Sequence, residues 1–174
     1  MLRLLLMRHS KAVQFSGGGD YGRALTARGR ADAARLGAFI ADEEPALQAA
    51  VHSGARRAEE TLAIVLDQLP SAIAVSVEPR LYEATDAAFL GVVRHGPEKA
   101  KTLLLVGHNP SIAEMANRLA ATGDRRGQLR MAEKFPTSAL AVIAFDVDRW
   151  SEVDEGGGRL VCFTTPANLG SGEV

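Results

Sequence analysis

Four times along this chain a short apolar run gives way to a helical pattern, and that alternation restricts the fold more than any other feature. The runs occupy residues 4–7, 49–51, 74–77 and 101–106. Each is too short for a helix and bounded by polar or turn-forming residues, which reads as a strand, the first of them a buried parallel one. The segments between them carry apolar residues at helical spacing. Ala33, Leu36, Gly37 and Ile40 share one face of a helix that Thr26 can cap and that runs to about Glu44, with Pro45 ending it. Ala58, Leu62, Val65, Leu66 and Leu69 form the stripe of the next, closed by Pro70. A short helix capped by Asp86 runs through Arg94, and Asn109 with Pro110 reads as the cap and first residue of another. Residues 122–134 are polar and basic and read as loop, and 139–145 and 160–163 as two last strands. A mostly parallel sheet with helices on both faces is the expected architecture, a three-layer α/β/α sandwich.

The chain has 174 residues, 47% of them hydrophobic, which suffices for one domain with a sizeable core. No internal repeat or linker marks a second domain, so one domain over 1–174 is expected, with a frayed tail from about residue 166. The formal net charge of -1 gives no electrostatic reason to expect nucleic acid or an acidic membrane surface as partner. No apolar run approaches the roughly 20 residues of a membrane span. The amino-terminal run is shorter than the core of a secretory signal, and Arg8, His9 and Lys11 follow where small residues should stand. The single cysteine, Cys162, leaves no internal disulfide or thiolate cluster. A reduced, cytoplasmic setting is therefore expected.

Chemistry collects at the strand exits. The first strand ends at Arg8-His9, the second leads to Ser53 with Arg56 and Arg57, the third to Glu83, and the fourth to His108. In a parallel sheet these exits share one edge, where open α/β sheets bind ligands. Two histidines and arginines there suit phosphoryl transfer through nitrogen. A neutral imidazole can attack phosphorus and split one displacement into two. Fixed guanidinium donors match the charge spread over the transferring oxygens. A carboxylic acid such as Glu83 could protonate a leaving oxygen and later activate water. The three glycines at 17–19 lack the spacing of a phosphate loop and read as a mobile surface loop. His52 and His95 read as structural or solvent-facing, and Cys162 as a buried, inert thiol. His9 and His108 lack metal-ligand spacing, so neither metal nor cofactor is expected.

Three segments resemble the signatures of the histidine phosphatase (phosphoglycerate mutase-like) superfamily: Leu-Leu-Met-Arg-His-Ser-Lys-Ala at 5–12, Ser-Gly-Ala-Arg-Arg-Ala-Glu-Glu-Thr at 53–61, and Leu-Val-Gly-His-Asn-Pro at 105–110. Residues 20–29 and 135–139 resemble loops of its small SixA-like phosphohistidine phosphatases. The resemblance implies a phosphoglycerate mutase-like fold, with His9 as nucleophile and Arg8 as its phosphate-binding neighbour. Of Arg56 and Arg57 it selects Arg57, because Ala58 and Thr61 follow at the family's spacing. His108 corresponds to the second histidine, a phosphate ligand. Glu83 stands near the place of the carboxylate that larger relatives use as proton donor. Ser10 replaces a frequent Gly, and Gly54 a frequent Pro. The implied activity is release of phosphate from phosphohistidine on a signalling or phosphotransfer protein. A small-molecule phosphomonoesterase or mutase, and a non-catalytic phosphate-binding module, are the alternatives. Imidazole leaves phosphorus more readily than an alkoxide does, and a chain this short has little length for a lid. Both points favour a phosphohistidine-bearing protein as substrate.

Overall fold

The structure is a computed structural model describing residues 1–44 and 46–169. Pro45 and the end of the tail lie outside the described residues. Seven strands form one sheet: β1 (Leu2–Arg8), β2 (Ala49–His52), β3 (Ala74–Val77), β4 (Thr102–Gly107), β5 (Ala120–Gly123), β6 (Leu140–Phe145) and β7 (Gly158–Thr164), in the order β3-β2-β4-β1-β6-β7-β5. The helices are α1 (Ala27–Glu43), α2 (Arg56–Leu66), α3 (Asp86–Arg94), α4 (Ser111–Leu119), α5 (Arg125–Glu133) and α6 (Pro166–Leu169). Strands β1 to β4 run parallel, β6 is antiparallel to β1 and β7, and β5 is parallel to β7. This is the mostly parallel α/β/α arrangement that the alternation implied.

The unbroken apolar run of β1 is explained by burial on both faces. Successive side chains of a strand point to opposite sides. Leu5 and Met7 pack with Leu36 and Ile40 of α1 and with Ala58, Leu62 and Val65 of α2. Leu4 and Leu6 face the other way, toward Phe89 and Val93 of α3 and Ile112 and Met115 of α4. Each fully buried leucine contributes about 2 kcal/mol, so the centre of the sheet is held from both sides.

Sequence and structure part at several boundaries. Residues 122–134, read as loop, instead supply half of β5 and all of α5. In α5 only Gly127 and Met131 are buried and Leu129 is 60% exposed, so no apolar stripe announced the helix. Tertiary contacts hold it: Gln128 Nε2 donates to the Ala120 carbonyl and Arg130 Nη2 to that of Phe163. Thr85, not Asp86, caps α3, accepting from the Ala88 amide. Pro110 takes the cap position of α4, so the helix begins one residue later than expected. Asn109, freed from capping, donates its side-chain amide to the Phe135 carbonyl. The second helix stops at Leu66 rather than Leu69, and residues 166–169 are helical rather than frayed.

The antiparallel course of β6 brings a further segment to the edge that carries the strand exits. Strand β6 starts where β1 and β4 end, so residues 135–138 join that edge without belonging to a strand exit.

Candidate active site

The exits of β1, β2 and β4 deliver His9, Arg57 and His108 to one place. His9 follows β1 directly, and its amide donates to the Gly107 carbonyl at the end of β4. Its side chain is 6% exposed. Nδ1 lies 2.7 Å from the Ser10 carbonyl oxygen, which can only accept. The proton therefore sits on Nδ1, and Nε2 keeps its lone pair. The Arg57 Nε–H donates to that lone pair at 3.2 Å. Burial pushes the His9 pKa down to about 3, with the charges of His108, Arg57 and Arg8 acting in the same direction. His9 is neutral at physiological pH.

The His108 ring stands 5.1 Å from that of His9 and is equally buried. Its Nε2 meets the Ser53 hydroxyl at 2.6 Å, and its Nδ1 is buried without a partner. Burial first, then Arg57, lowers its pKa to about 4. Arg8 donates through Nη1 to the Phe135 carbonyl at 3.0 Å, while its buried Nε has no partner. Burial, then the charge of Arg57, pulls the Arg8 pKa below the ordinary arginine value.

Arg57 opens α2 and is 4% exposed. Thr61, one turn on, donates to the Arg57 carbonyl and accepts from the Ser10 amide, which ties the start of α2 to the exit of β1. The outer groups of the guanidinium are held by Asp20, with Nη1 on its carbonyl at 2.7 Å and Nη2 on its Oδ2 at 3.0 Å. Tyr82 donates its hydroxyl to the same Oδ2 at 2.6 Å, and Arg23 Nε donates to Oδ1 at 2.8 Å. The Tyr82 bond first, then Arg57 and Arg23, holds the Asp20 carboxyl down at about 2. The Tyr82 ring also meets the edge of His108, with centroids 5.3 Å apart.

A cleft of about 420 Å³ adjoins this group, lined by Asp20, Arg57, Tyr82, Glu83, His108 and Ser111 but not by His9 or Arg8. Glu83 reaches it from the third exit, after a short 3-10 turn at Pro79–Leu81. It is exposed, and its carboxylate takes no hydrogen bond or ion pair among the described residues. Its backbone has φ 52°, a left-handed conformation that costs a residue with a Cβ about 1 kcal/mol. Arg56, the neighbour that the motif spacing set aside, points outward to Glu60. A larger cavity of about 510 Å³ lies at the opposite sheet edge beside Lys101 and Trp150, and none of the candidate site residues lines it.

Both departures from the expected motif have local causes. Ser10 is fully buried and its hydroxyl pairs with that of Ser138 at 2.6 Å. Gly54 has φ +86°, and a Cβ there would stand 2.4 Å from the Tyr21 hydroxyl oxygen. Proline, fixed near −65°, could not take that conformation. His52 is buried and accepts from the Gly54 amide, and His95 is exposed, so both lie outside the cleft. Burial pushes the Cys162 thiol up to about 11, which keeps it unreactive.

Asp20, Tyr82, Thr61 and Ser138 were not singled out as site residues from the sequence. Asp20 and Ser138 do lie in the segments that resembled loops of the SixA-like group, and that resemblance was the only available signal. Thr61 lies in the 53–61 segment and marked the spacing that selects Arg57, whereas Tyr82 carried no signal, because neither periodicity nor motif spacing reports a tertiary hydrogen bond.

Comparison with known proteins identifies relatives in sequence and in fold. Residues 4–92 match the sequence profile of the histidine phosphatase superfamily (branch 1). An uncharacterised protein of Mycobacterium tuberculosis is 34% identical over 162 residues, covering 92% of this chain and 99% of that one. The structure is similar to that of a provisionally assigned phosphohistidine phosphatase SixA from Nakamurella multipartitia. The TM-score is 0.83 and the identity 26%, over 95% of this chain and 96% of the other. A phosphoglycerate mutase of Plasmodium falciparum shares the fold, with TM-score 0.56 and 19% identity over 91% of this chain and 86% of that one. Among the described residues no helix is long and apolar enough to cross a membrane. The chain belongs to the histidine phosphatase superfamily, in its SixA-like form.

Proposed function

We propose that this protein is a phosphohistidine phosphatase that removes phosphate from a phosphorylated signalling or phosphotransfer protein by way of a phosphoryl group on His9. One observation carries the reading. A buried histidine, kept neutral and in a defined tautomer, presents its Nε2 lone pair among Arg8, Arg57 and His108.

In the first step Nε2 forms a bond to phosphorus while the bond to the substrate nitrogen breaks. Arg57, Arg8 and His108 donate to the phosphoryl oxygens as charge spreads over them. The partnerless Arg8 Nε and His108 Nδ1 support this role. A buried donor without a partner costs about 1–3 kcal/mol, and an oxyanion would satisfy it. In the second step water attacks phosphorus and His9 leaves as a neutral imidazole. The Ser10 carbonyl keeps the Nδ1 proton in place throughout.

Phosphate release from a phosphohistidine-bearing carrier protein, measured beside small phosphomonoesters, tests the reading. Release from the carrier that disappears in His9→Ala is the expected result. Undiminished turnover by that variant excludes the mechanism.

A second reading, a phosphomonoesterase with Glu83 as general acid, has one observation in its favour. The strained backbone at Glu83 aims a carboxylate-bearing residue at the cleft. Loss of ester turnover in Glu83→Gln, with turnover of phosphohistidine retained, would favour it for esters alone.

A further inference from the structure

We infer that Ser53 is a positioning residue that holds His108 as the tautomer protonated on Nδ1, so that an uncharged His108 offers a bound phosphoryl group a hydrogen rather than a lone pair. The place of the proton concerns the free protein. Its role in the reaction rests on the phosphohistidine reading and deepens it.

Burial creates the need for such a device. His108 is 6% exposed, and burial first, then the charge of Arg57, holds its pKa at about 4, so the ring is uncharged at physiological pH. An imidazolium donates from both nitrogens, but a neutral ring donates from one and accepts at the other. Which nitrogen keeps the proton is set by the bond that the other one makes. In His108 only Nδ1 is left to meet a ligand. Nε2 lies 2.6 Å from the Ser53 hydroxyl oxygen, and Nδ1 is buried without a partner.

The donors and acceptors around Ser53 assign the proton. Ser53 is fully buried and directly follows β2. Its Oγ accepts from the Ala55 amide at 3.3 Å, and an amide N–H can only donate. Among the described residues, His108 Nε2 is the one partner that can take the hydroxyl hydrogen. With Ser53 donating there, both serine bonds are made, Nε2 is satisfied, and the His108 proton sits on Nδ1. Were Nε2 the donor instead, the serine hydrogen would be stranded in the interior and Nδ1 would be a bare lone pair. That leaves two buried groups unpaired in place of one.

The two tautomers treat an oxyanion oppositely. An Nδ1–H donates to a phosphoryl oxygen, whereas a lone pair there repels it. His108 lines the cleft, and its ring stands 5.1 Å from that of His9, whose own tautomer the Ser10 carbonyl fixes. Each histidine thus has one ring nitrogen tied to the protein, and the ties are opposite in kind. A carbonyl acceptor leaves His9 with a free electron pair, and a hydroxyl donor leaves His108 with a free hydrogen.

Nitrogen NMR of isotope-labelled protein tests the assignment, because protonated and unprotonated imidazole nitrogens resonate far apart and couplings to the ring hydrogens tell Nδ1 from Nε2. The His108 signals are those that vanish in His108→Gln. Wild type at neutral pH should show a protonated Nδ1 and an unprotonated Nε2. Ser53→Ala should move His108 toward the Nε2–H form and weaken binding of inorganic phosphate, read by calorimetry, by about threefold to tenfold, as loss of one hydrogen bond implies. A protonated Nε2 in wild type overturns the inference, and that spectrum decides even if the variant does not fold. A folded Ser53→Ala whose tautomer or phosphate affinity is unchanged overturns it as well. Wild type that shows the expected tautomer yet releases no phosphate from phosphoimidazole refutes the phosphohistidine reading and upholds the place of the proton.

Discussion

Acid should destabilise this protein through the same burial that keeps His9 neutral. An unfolded histidine titrates near 6.5, whereas His9 is held at about 3 and His108 at about 4 in the folded chain. Between those values the unfolded state binds protons that the folded state refuses, so stability rises with pH across this window and falls as pH drops. From about pH 7 to about pH 5, each histidine removes about 2 kcal/mol of stability. Carboxylates also titrate as pH falls, so a single protein cannot isolate the effect. His9→Gln can, because it removes one of the two groups and leaves the carboxylates alone. Urea unfolding of wild type and His9→Gln at both pH values is the assay. The loss of stability on acidification should be smaller in the variant by about 2 kcal/mol. Equal losses would refute the reasoning, since His9 would then take up its proton as readily in the folded state as in the unfolded one.

Particular contacts carry further expectations. Ser138→Ala leaves the fully buried Ser10 hydroxyl without its partner and should cost about 1–3 kcal/mol in urea unfolding, with Ser10→Gly recovering part of the loss. Gly54→Ala meets both a left-handed backbone and the Tyr21 hydroxyl, and should lower stability by about 1–2 kcal/mol or more. Inorganic phosphate at about a hundred times its dissociation constant should stabilise the wild type by about 2.7 kcal/mol, and Arg57→Ala should abolish the gain at the same concentration. Differential scanning calorimetry reads that effect.

The parts of the fold legible in the sequence are those set by burial. The runs that became β1 and β4 are apolar because both faces of the sheet are covered, and their ends mark where His9 and His108 emerge. The Thr26 cap was legible because its partner, the Gly29 amide, is three residues away. Residues 122–134 were not, because α5 is held by side chains reaching distant carbonyls rather than by an apolar stripe. Asn109 has the chemistry of a cap, yet the Phe135 carbonyl 26 residues away claims its amide. The direction of β6 cannot be read from its composition, and that direction brings Ser138 and the Phe135 carbonyl to the site. Asp20 looks like any surface carboxylate after a glycine loop. Its bond to Arg23 is local, but its three contacts with Arg57 and Tyr82 exist only once three separate segments meet.

The central claim is that phosphorus passes through His9. A rapidly quenched reaction with a phosphohistidine carrier, followed by peptide mass spectrometry, measures it directly. The account predicts acid-labile, alkali-stable phosphate on His9, accumulating before release and absent from His9→Ala. Phosphate on another residue, or full turnover by His9→Ala, would contradict it.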